Sequence, residues 1–212
     1  MTVAVPEEPS AGAVRGAVDK ILAWGVDGGG PLQGARAVAV QHLARYGEPE
    51  KAIAKLIATH KRLVAASGFA ASVGGALAMP VTLPTDVAVF YALSARCAAG
   101  VAYLRDYDIE SEEVRSVVLL TLLGSAGAGV AAEAGVKIGT KSANAALRRL
   151  PAHVLTDINR KVGFRLFTKF GSKGVINLGR MVPLVGGGIG AGVNVAAMSG
   201  VGAYAKKNFP TV

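Results

Sequence analysis

Cysteine is almost absent. The single thiol, Cys97, excludes an internal disulfide framework, and its apolar helical surroundings read as those of a buried, inert side chain. Aromatic residues make up only 6% of the chain, and no stretch interleaves them with basic residues as single-strand nucleic-acid binders do. Helix-turn-helix, zinc-finger and RNA-recognition signatures are missing too, so nucleic acid is disfavoured as a partner. Charge is scarce, at 17% against roughly 25% in an average soluble domain. The start of the chain carries Glu7 and Glu8 and no basic stretch followed by an apolar run. The expectation is a cytoplasmic protein without a secretory signal.

Motifs for catalysis and metal binding are equally thin. The histidines are His42, His60 and His153, and none lies in H-E-x-x-H or beside a cysteine pair. The run Gly135-Val-Lys-Ile-Gly139-Thr140-Lys141-Ser142 departs from a P-loop, because Thr140 separates glycine from lysine and no strand precedes it. Gly186-x-Gly188-x-x-Ala191 lacks the βαβ unit that a dinucleotide fingerprint needs. No cofactor and no metal are expected. One acidic cluster, Asp106, Asp108, Glu110, Glu112 and Glu113, has the ligands to hold a divalent metal but reads first as a polar turn with acids at a helix start, where the macrodipole favours them. Were the protein an enzyme, Asp86, Asp106 and Asp108 would be its candidate catalytic groups.

What the chain does have is apolar surface. Hydrophobic residues make up 51%, and the mean hydropathy is +0.42. Such a chain must bury that surface in a core, a partner, a bilayer or around an apolar ligand. It also has 28 glycines in 212 residues, nearly twice the typical ~7%, set inside apolar segments rather than in linkers. The net charge of +9 suits an anionic surface.

Apolar spacing of three and four predicts helices throughout, and no alternating strand pattern is present. The expectation is all-α: a compact bundle of glycine-rich helices with long apolar, hairpin-like segments and no significant sheet. Residues 1–11 read as a flexible tail and 12–209 as one helical domain. A first helix over 12–26 carries Val14, Val18, Ile21 and Leu22; Thr85 and Ser111 are candidate caps. Leu63–Thr85, Ser116–Ala132 and Met181–Ala205 carry no charge at all. The first and third have the length of a membrane span. Yet they are rich in Gly, Ala and Ser, and Pro80, Pro84 and Pro183 interrupt them. Buried helices, or a shallow hairpin in one leaflet, fit better than a simple span.

Two small-residue ladders recur every four residues: Gly188, Gly192, Ala196, Gly200, and Gly127, Ala131, Gly135, Gly139. Such ladders let backbones approach closely, either within a helical core or around lipid. Gly74, Gly75, Gly188, Gly192, Ala196 and Gly200 are the candidate lipid-binding positions. From Arg148 to Arg180, a basic segment sets Arg148, Arg149, Arg160, Lys161, Arg165, Lys169, Lys173 and Arg180 against the single acid Asp157. With the stripe Val154, Ile158, Val162, Leu166 and Phe170, it reads either as a basic amphipathic helix for an anionic leaflet or as the solvated face of a surface helix.

Three ordered blocks resemble the EcsC family of bacterial proteins. The first runs from His60-Lys-Arg-Leu-Val-Ala-Ala-Ser-Gly68-Phe69 through Val73-Gly74-Gly75 to Leu83-Pro84-Thr85-Asp86. The second is Tyr103-Leu104-Arg105-Asp106-Tyr107-Asp108 with Val114-Arg115 and Leu122-Leu123-Gly124. The third joins Asn159-Arg-Lys-Val-Gly163-Phe164, Thr168-Lys169-Phe170-Gly171, Val182-Pro183-Leu184-Val185-Gly186-Gly187 and Ala205-Lys206-Lys207-Asn208-Phe209. Arg105 stands where the pattern leads one to expect glycine, and Asn194 where aspartate is common. The resemblance implies a membrane-linked accessory of a transporter system and supplies no catalytic residues. Three functions are thereby set out: binding of a membrane lipid or other apolar ligand, docking onto a membrane-protein partner, or an enzyme acting on an apolar substrate.

Overall fold

Several helices of the protein begin or end where the sequence supplies the local chemistry for it. The computed structural model describes residues 10–29, 32–73, 85–136, 150–170 and 183–211. Among them the chain is all-α, without a strand; one antiparallel bridge pairs Gly29 with Leu32. The proposed tail lies outside these residues except for Ser10 and Ala11, and Ala11 already belongs to the first helix. Helix α1 (Ala11–Leu22) buries Val14, Val18, Ile21 and Leu22, the face its spacing predicts. The helix then widens into a π-helical stretch, Ala23–Gly28. A single α-helix to Val26 was expected instead. The widened stretch sets Gly25 against the next layer so tightly that a Cβ there would stand 2.4 Å from the Ala92 carbonyl oxygen.

Helix α2 (Ala35–Tyr46) stops at Gly47, whose φ of 78° glycine tolerates and whose N–H closes on the Leu43 carbonyl at 2.8 Å. Helix α3 (Pro49–Val73) opens on Pro49, a residue suited to a first helical position. Helix α4 (Thr85–Tyr103) takes Thr85 as its first residue rather than as its cap. Helix α5 (Glu112–Leu122) is capped by Ser111, whose hydroxyl accepts from the Val114 N–H at 3.3 Å, and Glu112 and Glu113 occupy its first turn. Helices α6 (Ser125–Glu133), α7 (Ala152–Phe170) and α8 (Pro183–Asn208) complete the described fold.

Helix α4 is the axis. From Tyr91 to Ala102 every residue on it is buried, because its sequence is apolar on all sides and has no face to offer water. Helices α1, α2, α3, α5 and α8 pack around it. Cys97 is fully buried there, and burial pushes its thiol up to about 12. One cation lies inside this layer. Arg96 is 6% exposed and donates from Nε to His60 Nε2 at 3.1 Å and from Nη1 to the Gln33 carbonyl at 3.3 Å. His60 is itself buried, with Nδ1 2.8 Å from the Leu56 carbonyl oxygen. A carbonyl only accepts, so Nδ1 carries the proton and Nε2 is free to accept from Arg96.

A second polar network ties the C-terminal end of α8 to the rest. Arg105, nearly buried, holds Glu50 at 2.8 Å and donates from Nη1 to the carbonyls of Lys206 at 2.7 Å and Phe209 at 2.5 Å. A guanidinium placed there satisfies carbonyls that the helix itself leaves unpaired. The Tyr107 hydroxyl donates to the Pro210 carbonyl at 2.9 Å, and its ring meets that of Phe209 edge-on. Asn208 donates to Thr121 Oγ1 at 3.0 Å.

Two outcomes follow from these networks. Replacing Arg105 by alanine leaves the Lys206 and Phe209 carbonyls unmet, and urea unfolding is expected to show a loss of about 1–3 kcal/mol. His60 makes stability depend on pH. Its burial, opposed by the Leu56 hydrogen bond and reinforced by the charge of Arg96 and by His42, lowers its pKa to about 4. Unfolded, an imidazole titrates near 6.5. Between those values the unfolded chain binds a proton that the folded chain refuses, so stability falls as pH drops from about 6.5 to about 4. The total is on the order of 3 kcal/mol. Unfolding curves of the His60→Gln variant across that range should lack this component.

Candidate functional site

Four contacts set the direction of the long helices. Leu56 faces Gly100 and His60 binds Arg96; Ile57 faces Gly202 and the Asn194 side chain reaches the Val64 carbonyl at 3.5 Å. Numbers rise along α3 while they fall along α4 and α8. Both are therefore antiparallel to α3, and the C-terminal end of α3 shares one pole of the molecule with the N-terminal ends of α4 and α8. This pole is where the first and third uncharged runs meet. Residues 63–73 and 183–205 carry no charge, and over 85–95 the only charged residue is Asp86. Val193 is 61% exposed, Leu63 is 40% exposed, and Gly192, Ala196, Ala197 and Ala66 are exposed beside them. A helix at a water-facing surface ordinarily turns a charged or polar face outward. Helix α8 has no such face until Lys206.

The two ladders separate here. In α8 the packing edge is Asn194, Met198, Val201, Gly202 and Ala205, set against α3, α4 and α5. A Cβ on Gly202 would stand 2.7 Å from Ile57 Cγ2. Gly192 and Ala196 are exposed, and a Cβ on Gly192 or Gly200 would meet nothing within 4 Å. The series Gly192, Ala196 and Gly200 therefore runs beside the packing edge instead of along it, and the surroundings of Gly188 lie outside those described. Close packing belongs to the other series: Gly127 and Ala131 are buried, and a Cβ on Gly127 would lie 2.0 Å from the Leu120 carbonyl oxygen. Gly135 has a φ of 73° just past the end of α6. Gly74, Gly75 and Gly139 lie outside the described residues.

The basic segment is organised differently from a free amphipathic helix. In α7 the stripe residues Ile158, Val162 and Leu166 are buried, with Val154 half-buried, against α1, α5 and α6. That apolar face is already covered by protein and is not available to a leaflet. Its described cations have acidic partners. Arg160 pairs with Asp157 at 2.8 Å, while Lys161 and Arg165 share Glu133 of α6 at 3.5 and 3.1 Å. Such exposed pairs add little stability, but they offset the positive field that an anionic surface would feel. Arg148, Arg149, Lys173 and the side chain of Lys169 lie outside the described residues.

Asp106 and Asp108 do not converge on an apolar cavity. Asp106, with a φ of 62°, and Asp108 are exposed on the α4–α5 turn, and Asp108 Oδ1 accepts from the Glu110 N–H at 3.1 Å. They line a shallow cleft of about 410 Å³ with Tyr107 and with Arg36, which stacks over the Tyr103 ring at 5.6 Å. A neighbouring cleft of about 560 Å³ is bordered by Asp27 and Glu110, both paired with Arg115. The Asp86 carboxylate lies outside the described side chains. No group of three His, Cys, Asp or Glu among the described residues could hold a metal ion.

Sequence reading passed over two functional-looking side chains, Arg96 and Arg105. Each had a signal: Arg96 is the only charge between Asp86 and Arg105 on an otherwise apolar helix, and Arg105 departs from the expected glycine. Both turn out to hold the fold together. Comparison with protein-family models, with curated proteins and with solved structures finds no match to this chain.

The separation of the ladders is testable by calorimetry. Gly202→Val should cost about 1–3 kcal/mol through overpacking against Ile57. Gly192→Ala and Gly200→Ala, which add a methyl to open space, should be neutral or stabilise by up to ~1 kcal/mol through helix propensity.

Proposed function

We propose that this protein binds lipid as a peripheral membrane protein, seating its uncharged pole in one leaflet at the inner face of the cell membrane. The observation that carries this reading is the exposed face of α8, where Gly192, Val193, Ala196 and Ala197 meet water without one charge. Exposed apolar surface of this kind marks an interaction site. No helix among the described residues is long and apolar enough to cross a membrane. Past Leu63, α3 runs on to Val73 for ~15 Å at 1.5 Å per residue, close to half of the ~30 Å hydrocarbon thickness. Helical backbone is also the form that can enter hydrocarbon with its hydrogen bonds made.

Small side chains suit this task. Gly and Ala along the outer face of α8 let acyl chains approach the helix closely, and Val193 and Leu63 supply the larger apolar contacts. The likeness to the EcsC family, with its membrane-linked setting, agrees with this reading. A docking role on a membrane-protein partner would use the same face, and lipid vesicles free of protein separate the two.

Co-sedimentation with phospholipid vesicles is the test. Val193→Asp changes a residue that already faces outward and should leave the thermal melt unchanged. It forfeits the transfer of an apolar side chain, worth about 1.5–3 kcal/mol, so vesicle affinity should fall roughly tenfold or more. Unchanged partitioning of Val193→Asp, or no sedimentation of the wild-type chain, would sink the reading.

A further inference from the structure

We infer that the membrane this pole enters is anionic, and that Lys61 and Arg62 are the residues that meet its phosphate head groups. This rests on the lipid-binding reading above and replaces the basic segment as the place where charge is recognised. The outer face of α3 carries Lys51, Lys55 and Arg62, all exposed, with Lys61 half-buried beside them. At Leu63 the charge stops, and none follows to Val73. Neither Lys61 nor Arg62 has an ion pair among the described residues, whereas Arg160, Lys161 and Arg165 of α7 all do. Lys61 and Arg62 thus stand at the border between the charged and uncharged halves of the helix.

The border has a counterpart on α8. The Ile57–Gly202 and Val64–Asn194 contacts bracket Arg62 at the level of Ala196 and Ala197. From that level α3 extends ~17 Å to Val73 and α8 ~20 Å back to Pro183 at 1.5 Å per residue. One leaflet of hydrocarbon is about 15 Å deep. Seated to that depth, the molecule places Lys61 and Arg62 at the head groups. Their aliphatic stems lie along apolar surface there while the charged ends reach phosphate. An anionic head group is the chemistry that cations at this border select.

The experiment compares binding to vesicles of phosphatidylcholine alone with binding to vesicles that also contain phosphatidylglycerol, at low and high salt. Wild type should prefer the phosphatidylglycerol vesicles, and salt should erase the preference. The double variant Lys61→Gln/Arg62→Gln should bind them roughly tenfold to thirtyfold more weakly while keeping its affinity for phosphatidylcholine. Arg62→Gln alone, at an exposed position, should show part of that loss with an unchanged melting curve. Arg160→Gln/Lys161→Gln should leave the preference intact. Equal binding to both vesicles, or a preference lost in the Arg160/Lys161 variant and kept in the Lys61/Arg62 variant, overturns this inference and leaves the lipid reading standing. No binding of the wild type to either vesicle overturns both.

Discussion

A guanidinium enclosed by apolar helices keeps its charge at neutral pH and must find acceptors. Arg96 has this problem at the centre of α4, and its solution sets the register of three helices. Among the described residues it has no carboxylate partner. It takes instead the lone pair of a neutral imidazole and a backbone carbonyl at the start of α2. The imidazole serves only as the Nδ1–H tautomer, which Leu56 enforces from one turn earlier on α3. A shift of α3 along α4 by a single residue would take the His60 acceptor from a buried cation and leave it only the Gln33 carbonyl. The apolar packing beside it resists the same slip, because a Cβ at Gly100 would stand 2.9 Å from Leu56 Cδ1.

The molecule is thereby divided along its long axis. At one end, Arg105, Glu50, Tyr107 and Asn208 make a polar clasp around the last turn of α8. At the other, three helix ends carry hardly a charge. Helix α8 belongs to both: its last turn has Lys206 and Lys207 in water, and its first five turns have neither charge nor a polar face. Stability is concentrated at the clasp and along α4, so the opposite end is free to be composed for something other than holding the fold together.

Much of this was legible in the residues. Spacing alone marked Val14, Val18, Ile21 and Leu22 as one buried face, Ser111 announced the start of α5, and the uncharged runs picked out the segments that form the pole. What was not legible has a physical reason in each case. A four-residue repeat names a side of a helix but not the neighbour that side will meet, so Gly192 and Gly202 look alike until α3 is in place. Pairing of Arg165 with Glu133 depends on how α6 folds back onto α7, which no local pattern encodes. The stripe on α7 was correctly read as amphipathic. Amphipathicity is the same whether the covering surface is protein or lipid, and here it is protein.

The clasp has a mechanical consequence. Helices α3 and α8 are riveted where Arg105 joins Glu50 to the Lys206 and Phe209 carbonyls, and this rivet sits at one end of the pair. Sliding one helix past the other would tear out the rivet and drive Ile57 against a neighbour larger than Gly202. Spreading their far ends breaks no hydrogen bond of the rivet. The pair behaves like the tines of a fork, stiff against shear and soft in opening, and its soft direction parts the two helices at the surface that bears no charge.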